Sequence, residues 1–194
     1  MKLAILSGTF NPIHKLHIAI AKYVKENFAY DKLLLIPAFI PPFKEKNSEL
    51  AHHRFNMVKD VCDKYEEFEI SDIEFKRNEL SYSCTTLEEL HKKFKPENIG
   101  FIIGTDAYIN LDKWHNADKL KSLATFILFE REIPFEDEKV KRIEDKGFIN
   151  QKAYLPFTDV SSSHIRELIK NDKDVTEFLE KETEEYIKKH GLYK

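Results

Sequence analysis

The chain has 194 residues, 42% of them apolar, with 31 basic and 34 acidic side chains and a formal charge of −3. That length suffices for one well-buried domain, here expected to span residues 1–194, and the near-balance of charge excludes an overall pull toward nucleic acid or a membrane surface. The apolar run at residues 3–6 is too short for a secretory core or a membrane span, and Cys62 and Cys84, in no C-x-x-C pair, read as reduced thiols of a cytoplasmic protein.

Short apolar runs alternate with longer amphipathic ones. Residues 2–7 read as a strand, 13–27 as a helix, and 32–36 as a second strand closed by Pro37. An extended loop with Pro37, Pro41 and Pro42 follows. Residues 49–65 read as a helix, 69–73 as a strand, and 83–94 as a helix stopped by Pro96. Strands are expected at 99–103, 124–129 and 153–155, and closing helices at 162–170 and 175–190, with Gly191 at the C′ position. This alternation implies an α/β fold: a Rossmann-like, doubly wound, mostly parallel sheet with helices on both faces and a C-terminal helical segment. Ligands of such sheets bind at the carboxyl ends of strands, here near Gly8 and Gly104.

Four segments carry chemistry. In Ser7-Gly8-Thr9-Phe10-Asn11-Pro12-Ile13-His14-Lys15-Leu16-His17, a strand passes through a Gly-containing turn into a helix, the usual cradle for a phosphate. Asn11 suits a helix cap and Pro12 a first helical position, and His14 and His17, three apart, are either surface or satisfied core histidines or fall beside the anion, where an imidazole N–H stabilises phosphoryl charge. Ser161-Ser162-Ser163-His164-Ile165-Arg166 offers hydroxyls and a planar fork to phosphate oxygens, or is simply a capped helix. Pro41-Pro42-Phe43-Lys44 ends a stiff loop in a point charge; as an isolated feature it reads as ordinary surface. Gly104-Thr105-Asp106 suits close approach of a nucleoside with Asp106 on ribose, though Asp106 also suits a helix cap, and Trp114 is either core packing or a ring stacked on a flat heterocycle. His52-His53 lacks partners at metal-ligand spacing and reads as solvated helix surface.

Together with Asp72-Ile73-Glu74, Ser81-Tyr82-Ser83-Cys84-Thr85-Thr86-Leu87 and the ending Tyr186-Ile187-Lys188-Lys189-His190-Gly191-Leu192-Tyr193, these segments resemble the nucleotidyltransferase superfamily with the H-x-G-H signature. In particular they are similar to bacterial nicotinate-nucleotide adenylyltransferases, almost end to end. The resemblance implies transfer of the adenylyl group of ATP to nicotinate mononucleotide, giving nicotinate adenine dinucleotide and pyrophosphate in NAD biosynthesis. The mononucleotide phosphate attacks the ATP α-phosphorus in line, so catalysis is positioning and charge stabilisation.

By the same resemblance His14, His17 and Lys44 are catalytic, acting on phosphoryl oxygens. Gly8, Thr9, Phe10, Gly104, Asp106, Ser161, Ser162 and Arg166 bind ATP. Thr86, Trp114 and Arg131 bind nicotinate mononucleotide. Mg²⁺ is implied on ATP phosphates and water, with no protein metal ligand. No nucleic acid or membrane partner is implied, and a homo-oligomer is left open. Four positions depart from the family pattern: Leu16 replaces the signature glycine, Asn11 an aspartate, Phe43 a histidine, and Thr85 an aspartate. The competing readings are a relative acting on nicotinamide mononucleotide or phosphopantetheine, and a non-catalytic nucleotide sensor, for which Leu16 is the argument.

Overall fold

The computed structural model describes residues 1–42, 48–130, 137–155 and 160–194. Within them, β1 (Lys2–Gly8), β2 (Lys32–Pro37), β3 (Glu69–Ile70), β4 (Asn98–Gly104), β5 (Thr125–Glu130) and β6 (Asn150–Tyr154) form one sheet in the order β3-β2-β1-β4-β5-β6. Every adjacent pair is parallel. This is the doubly wound order, with its reversal between β1 and β4.

The strands form where apolar runs are buried on both faces, as parallel sheets require. Ala4, Leu6, Leu33 and Leu35 face a core built with α1 (Lys15–Asn27), α2 (Ser48–Lys64), α8 (Ser162–Lys170) and α9 (Lys181–His190). Leu3, Ile5, Leu34 and Ile36 face a second core built with α4 (Ser83–Phe94), α5 (Thr105–Tyr108), α6 (Ala117–Leu123) and α7 (Asp137–Glu144). At Gly100 on β4, an added Cβ would lie 2.3 Å from the Tyr30 hydroxyl, so glycine there makes room for a buried ring.

The expected strands and long helices are present, with four differences at their ends. The strand expected over 69–73 has only two residues, because β3 is an edge strand paired to Leu34 and Leu35 alone; α3 (Ile73–Arg77) takes over. The last strand begins at Asn150, earlier than expected, since only Ala153 on this edge is buried and the remaining side chains give no apolar signal. The closing helix starts at Lys181; the chain before it turns, with the Phe178 N–H on the Val175 carbonyl (2.9 Å) and the Phe178 carbonyl accepting from Lys15 N–H (2.9 Å). Gly191 sits at the end of α9 in the left-handed region (φ 61°), where glycine is favoured. Finally, α1 begins at Lys15, with His14 as N-cap.

Candidate active site

A cleft of about 460 Å³ opens where β1 and β4 end, at the reversal of strand order. Gly8, Thr9, Phe10, His14 and His17 line one side, Gly104 and Trp114 another, and Ser161 and Ser162 a third. Nine of the residues singled out from sequence are thus brought together from four separate parts of the chain. An added Cβ at Gly104 would meet nothing within 4 Å, so that flank is open to a ligand. Phe10 holds a positive φ of 47°, unusual for a bulky residue, with its ring buried under the loop and edge-on to His17 (centroids 5.0 Å, 79°).

The helix start differs from the sequence expectation. Asn11 and Pro12, joined by a cis peptide, precede the helix, and neither caps it. His14 takes the N-cap position and His17 the third helical one; His17 Nδ1 accepts the His14 backbone N–H at 3.3 Å, and the rings stack at 3.7 Å. His14 is 4% exposed, and burial lowers its pKa to about 4. Burial, then the neighbouring His14, hold His17 well below 6.5. His14 Nδ1 is buried with no hydrogen-bond partner among the described residues. Without an anion, therefore, the cleft presents neutral imidazoles.

The loop between β1 and α1 is held by side chains from distant elements. Arg54 Nη1 donates to the Thr9 carbonyl (2.6 Å), Arg166 Nη1 to the Asn11 carbonyl (2.8 Å), and Ser162 Oγ to the Pro12 carbonyl (2.9 Å). The Tyr193 hydroxyl donates to Asn11 Oδ1 (2.7 Å). Ser161 caps α8, its Oγ accepting from His164 N–H at 3.2 Å, as read from sequence. Sequence reasoning missed Arg54 and Tyr193. A signal for Arg54 existed: it shares the helical spacing of Ala51, Val58 and Val61, all buried.

Other expected site residues are placed differently. Thr86 does not reach the cleft: it is 1% exposed, its Oγ1 donates to Glu74 Oε1 (2.7 Å) and accepts from Arg77 Nη2 (3.1 Å), and its N–H is taken by the Tyr82 carbonyl (3.1 Å). Its hydroxyl sits inside a buried Glu–Arg pair. Asp106 is exposed on α5 and outside the cleft lining, and Arg166 lies behind the loop it clamps. Lys44 and Arg131 lie outside the described residues, as does Phe43. His53 is more than solvated surface, since its Nδ1 lies 3.0 Å from the Tyr186 hydroxyl of α9.

A second cavity of about 460 Å³ adjoins the first, with Pro42, Ser83 and Trp114 common to both. Its remaining lining includes Tyr82 and His115, whose rings stack at 4.2 Å, and Lys113. Trp114 meets Phe101 edge-to-face (6.1 Å, 69°) while facing both cavities, so it packs on the core and still presents a ring to a ligand. The arrangement suits a two-part ligand: phosphates beside the histidines and a flat ring beside Trp114.

Residues 5–168 match the cytidylyltransferase-like family. A probable nicotinate-nucleotide adenylyltransferase of Clostridium tetani is 36% identical over 200 residues, covering 100% of this chain and 99% of that protein. The chain belongs to the nicotinate-nucleotide adenylyltransferase family. A second member, from Shewanella frigidimarina, is 33% identical and covers 100% of both chains. The nicotinic acid mononucleotide adenylyltransferase of Plasmodium falciparum, solved in complex with NaAD, has the same fold, with a TM-score of 0.83 at 20% identity over 99% of this chain and 97% of that one. In this nicotinate-nucleotide adenylyltransferase family member, Leu16 is the residue read from sequence as replacing a signature glycine. It is 9% exposed and joins the apolar core while touching the cleft wall.

Proposed function

We infer that the protein, acting as a single domain over residues 1–194, transfers the adenylyl group of ATP to nicotinate mononucleotide, releasing pyrophosphate and forming nicotinate adenine dinucleotide for NAD biosynthesis. The observation that carries this reading is the stacked His14–His17 pair at the switch-point cleft of a chain whose relatives of that name match it end to end. The mononucleotide phosphate is already a nucleophile, so its in-line attack on the α-phosphorus needs no general base. His14 and His17 donate N–H groups to phosphoryl oxygens as charge builds, joined by Lys44. Gly8, Thr9, Phe10 and Gly104 bind the nucleoside side of ATP from the cleft wall, and Asp106, exposed two residues past Gly104, is assigned to the ribose. Ser161, Ser162 and Arg166 serve its phosphates, Arg166 chiefly by shaping the Asn11 turn.

The nicotinate ring is assigned to the second cavity, against Trp114. Its carboxylate suits the start of α4, where the amides preceding Thr86 come before the first intrahelical bond to Tyr82. Thr86 supports that helix start from behind, and Arg131 is assigned to the mononucleotide phosphate. The cleft lining holds no carboxylate among the described residues, a set that suits Mg²⁺ carried by substrate phosphates and water. Bound there, Mg²⁺ would neutralise the triphosphate and the departing pyrophosphate. No helix among the described residues is long and apolar enough to cross a membrane. Both cysteines are free thiols, buried, and a cytoplasmic location is the reading their use favours.

The test is pyrophosphate release from ATP·Mg²⁺ with nicotinate or nicotinamide mononucleotide offered side by side. Preference for the acid establishes the reaction. Preference for the amide keeps the chemistry and reassigns the acceptor. Silence with both, from folded protein that binds ATP, replaces the enzyme with a rival transferase or a sensor.

A further inference from the structure

Arg54 lies on α2, outside the phosphate motifs, and is only 3% exposed. One arm of its guanidinium donates to the Thr9 carbonyl at 2.6 Å and the other to the Phe39 carbonyl at 3.1 Å. Thr9 follows β1 and Phe39 follows β2, so one side chain spans the loops leaving two adjacent parallel strands beside the cleft. The Ala38 N–H joins the same loops once more, donating to the Gly8 carbonyl at 2.9 Å.

The surroundings are built for a cation. Burial lowers the guanidinium to about 10, against the opposing pull of Glu74 on α3, 1% exposed, which leaves the fork charged at neutral pH. Glu74 is itself held by Thr86 from α4. A planar fork can serve two carbonyls lying in different directions, whereas an ammonium on a flexible stem acts as one point charge.

We propose that Arg54 is a positioning residue for adenylyl transfer: by carrying the Thr9 and Phe39 carbonyls on one guanidinium, it sets the spacing between the nucleotide-facing loop and the loop that leads to Lys44. This rests on the adenylyl-transfer reading above. A displacement of about 1 Å between reacting groups costs on the order of 10²-fold in rate, so the spacing matters to turnover more than to affinity.

The experiment compares wild type with Arg54→Lys and Arg54→Ala in kcat, in KM for ATP, and in amide hydrogen exchange at residues 8–10 and 38–40. Folded fraction is measured by circular dichroism. Expected in both variants is a kcat lower by about 10–10² per folded molecule with a smaller rise in KM. Exchange in the two loops should quicken together while the sheet stays protected, and added guanidinium ion should restore part of the Arg54→Ala rate. Wild-type kcat in folded Arg54→Lys overturns the proposal. So does a loss explained by folded fraction alone, with exchange faster throughout. If wild type itself releases no pyrophosphate, the adenylyl-transfer reading fails, and the exchange comparison still decides whether Arg54 couples the loops.

Discussion

The imidazole of His14 stacks on that of His17 with ring centres 3.7 Å apart, and His17 Nδ1 accepts the backbone N–H of His14 itself. An imidazole accepting at Nδ1 carries its proton at Nε2 while neutral, so His17 keeps a donor for the cleft without needing a charge. Two cations at this separation would repel, and burial already disfavours either.

Phosphate oxygens beside the pair reverse that preference, since an adjacent anion favours the imidazolium. Nucleotide binding at about pH 5.5 should therefore take up more protons in wild type than in a His14→Asn/His17→Asn double variant. Calorimetry in buffers of different ionisation enthalpy measures the difference. Equal proton counts would show that both rings stay neutral in the complex.

The same depression couples folding to pH. Below pH 6.5 the unfolded chain protonates a histidine that folded His14, with its pKa near about 4, leaves neutral. Stability is thus complete above pH 6.5 and falls as the pH drops toward 4. From His14 alone the loss between 6.5 and about pH 5 is roughly 2 kcal/mol, and His17 adds in the same direction. Urea titrations across this range should show the slope, and His14→Asn should flatten it. An unchanged slope in that variant would place the titration elsewhere.

Removing the His17 donor should cost about 10²–10³ in kcat, the scale of one lost transition-state hydrogen bond. Because a His17 ring that loses its charge still keeps the Nε2 N–H, kcat should not collapse as pH rises through 6.5. Steady-state assays of His17→Ala and a wild-type pH profile test both points. Unaltered turnover in a folded variant would remove His17 from the mechanism.

Thr86 should report on stability instead of substrate. Thr86→Val keeps the shape but strips Glu74 and Arg77 of the hydroxyl they share, at an expected cost of about 1–3 kcal/mol in unfolding free energy. KM for the mononucleotide should stay near the wild-type value. A large rise in KM with unchanged stability would return Thr86 to the ligand.

The central strands were legible because residues 3–6, 33–36, 99–103 and 126–129 are buried on both faces and carry unbroken apolar runs. The edges were not. β3 and β6 pair on one side only, so their sequences lack that signal. The short helices α3, α5, α6 and α7 also escaped, being of eight residues or fewer and packed by tertiary contact more than by their own periodicity. Of the residues singled out from sequence, the loop, the histidine pair, Trp114 and the α8 serines line one cleft. Sequence reasoning misjudged how the helix starts, because an N-cap histidine answered by another histidine is not among the common capping residues. Arg54 and Tyr193 were missed for a different reason: the helical spacing of Arg54 marks it as buried, but that both residues grip the β1–α1 loop from elsewhere in the chain is not shown by spacing within a motif.

The turn between β1 and α1 is short and local, yet its anchors are not. Thr9 is held from 45 residues away, Pro12 from 150, the Asn11 carbonyl from 155 and the Asn11 side chain from 182. Contacts of such sequence separation are entropically costly to close and tend to form after local ones. In refolding, helix content should return before ATP binding does, and the nucleotide site should be the last part of the molecule to acquire its shape.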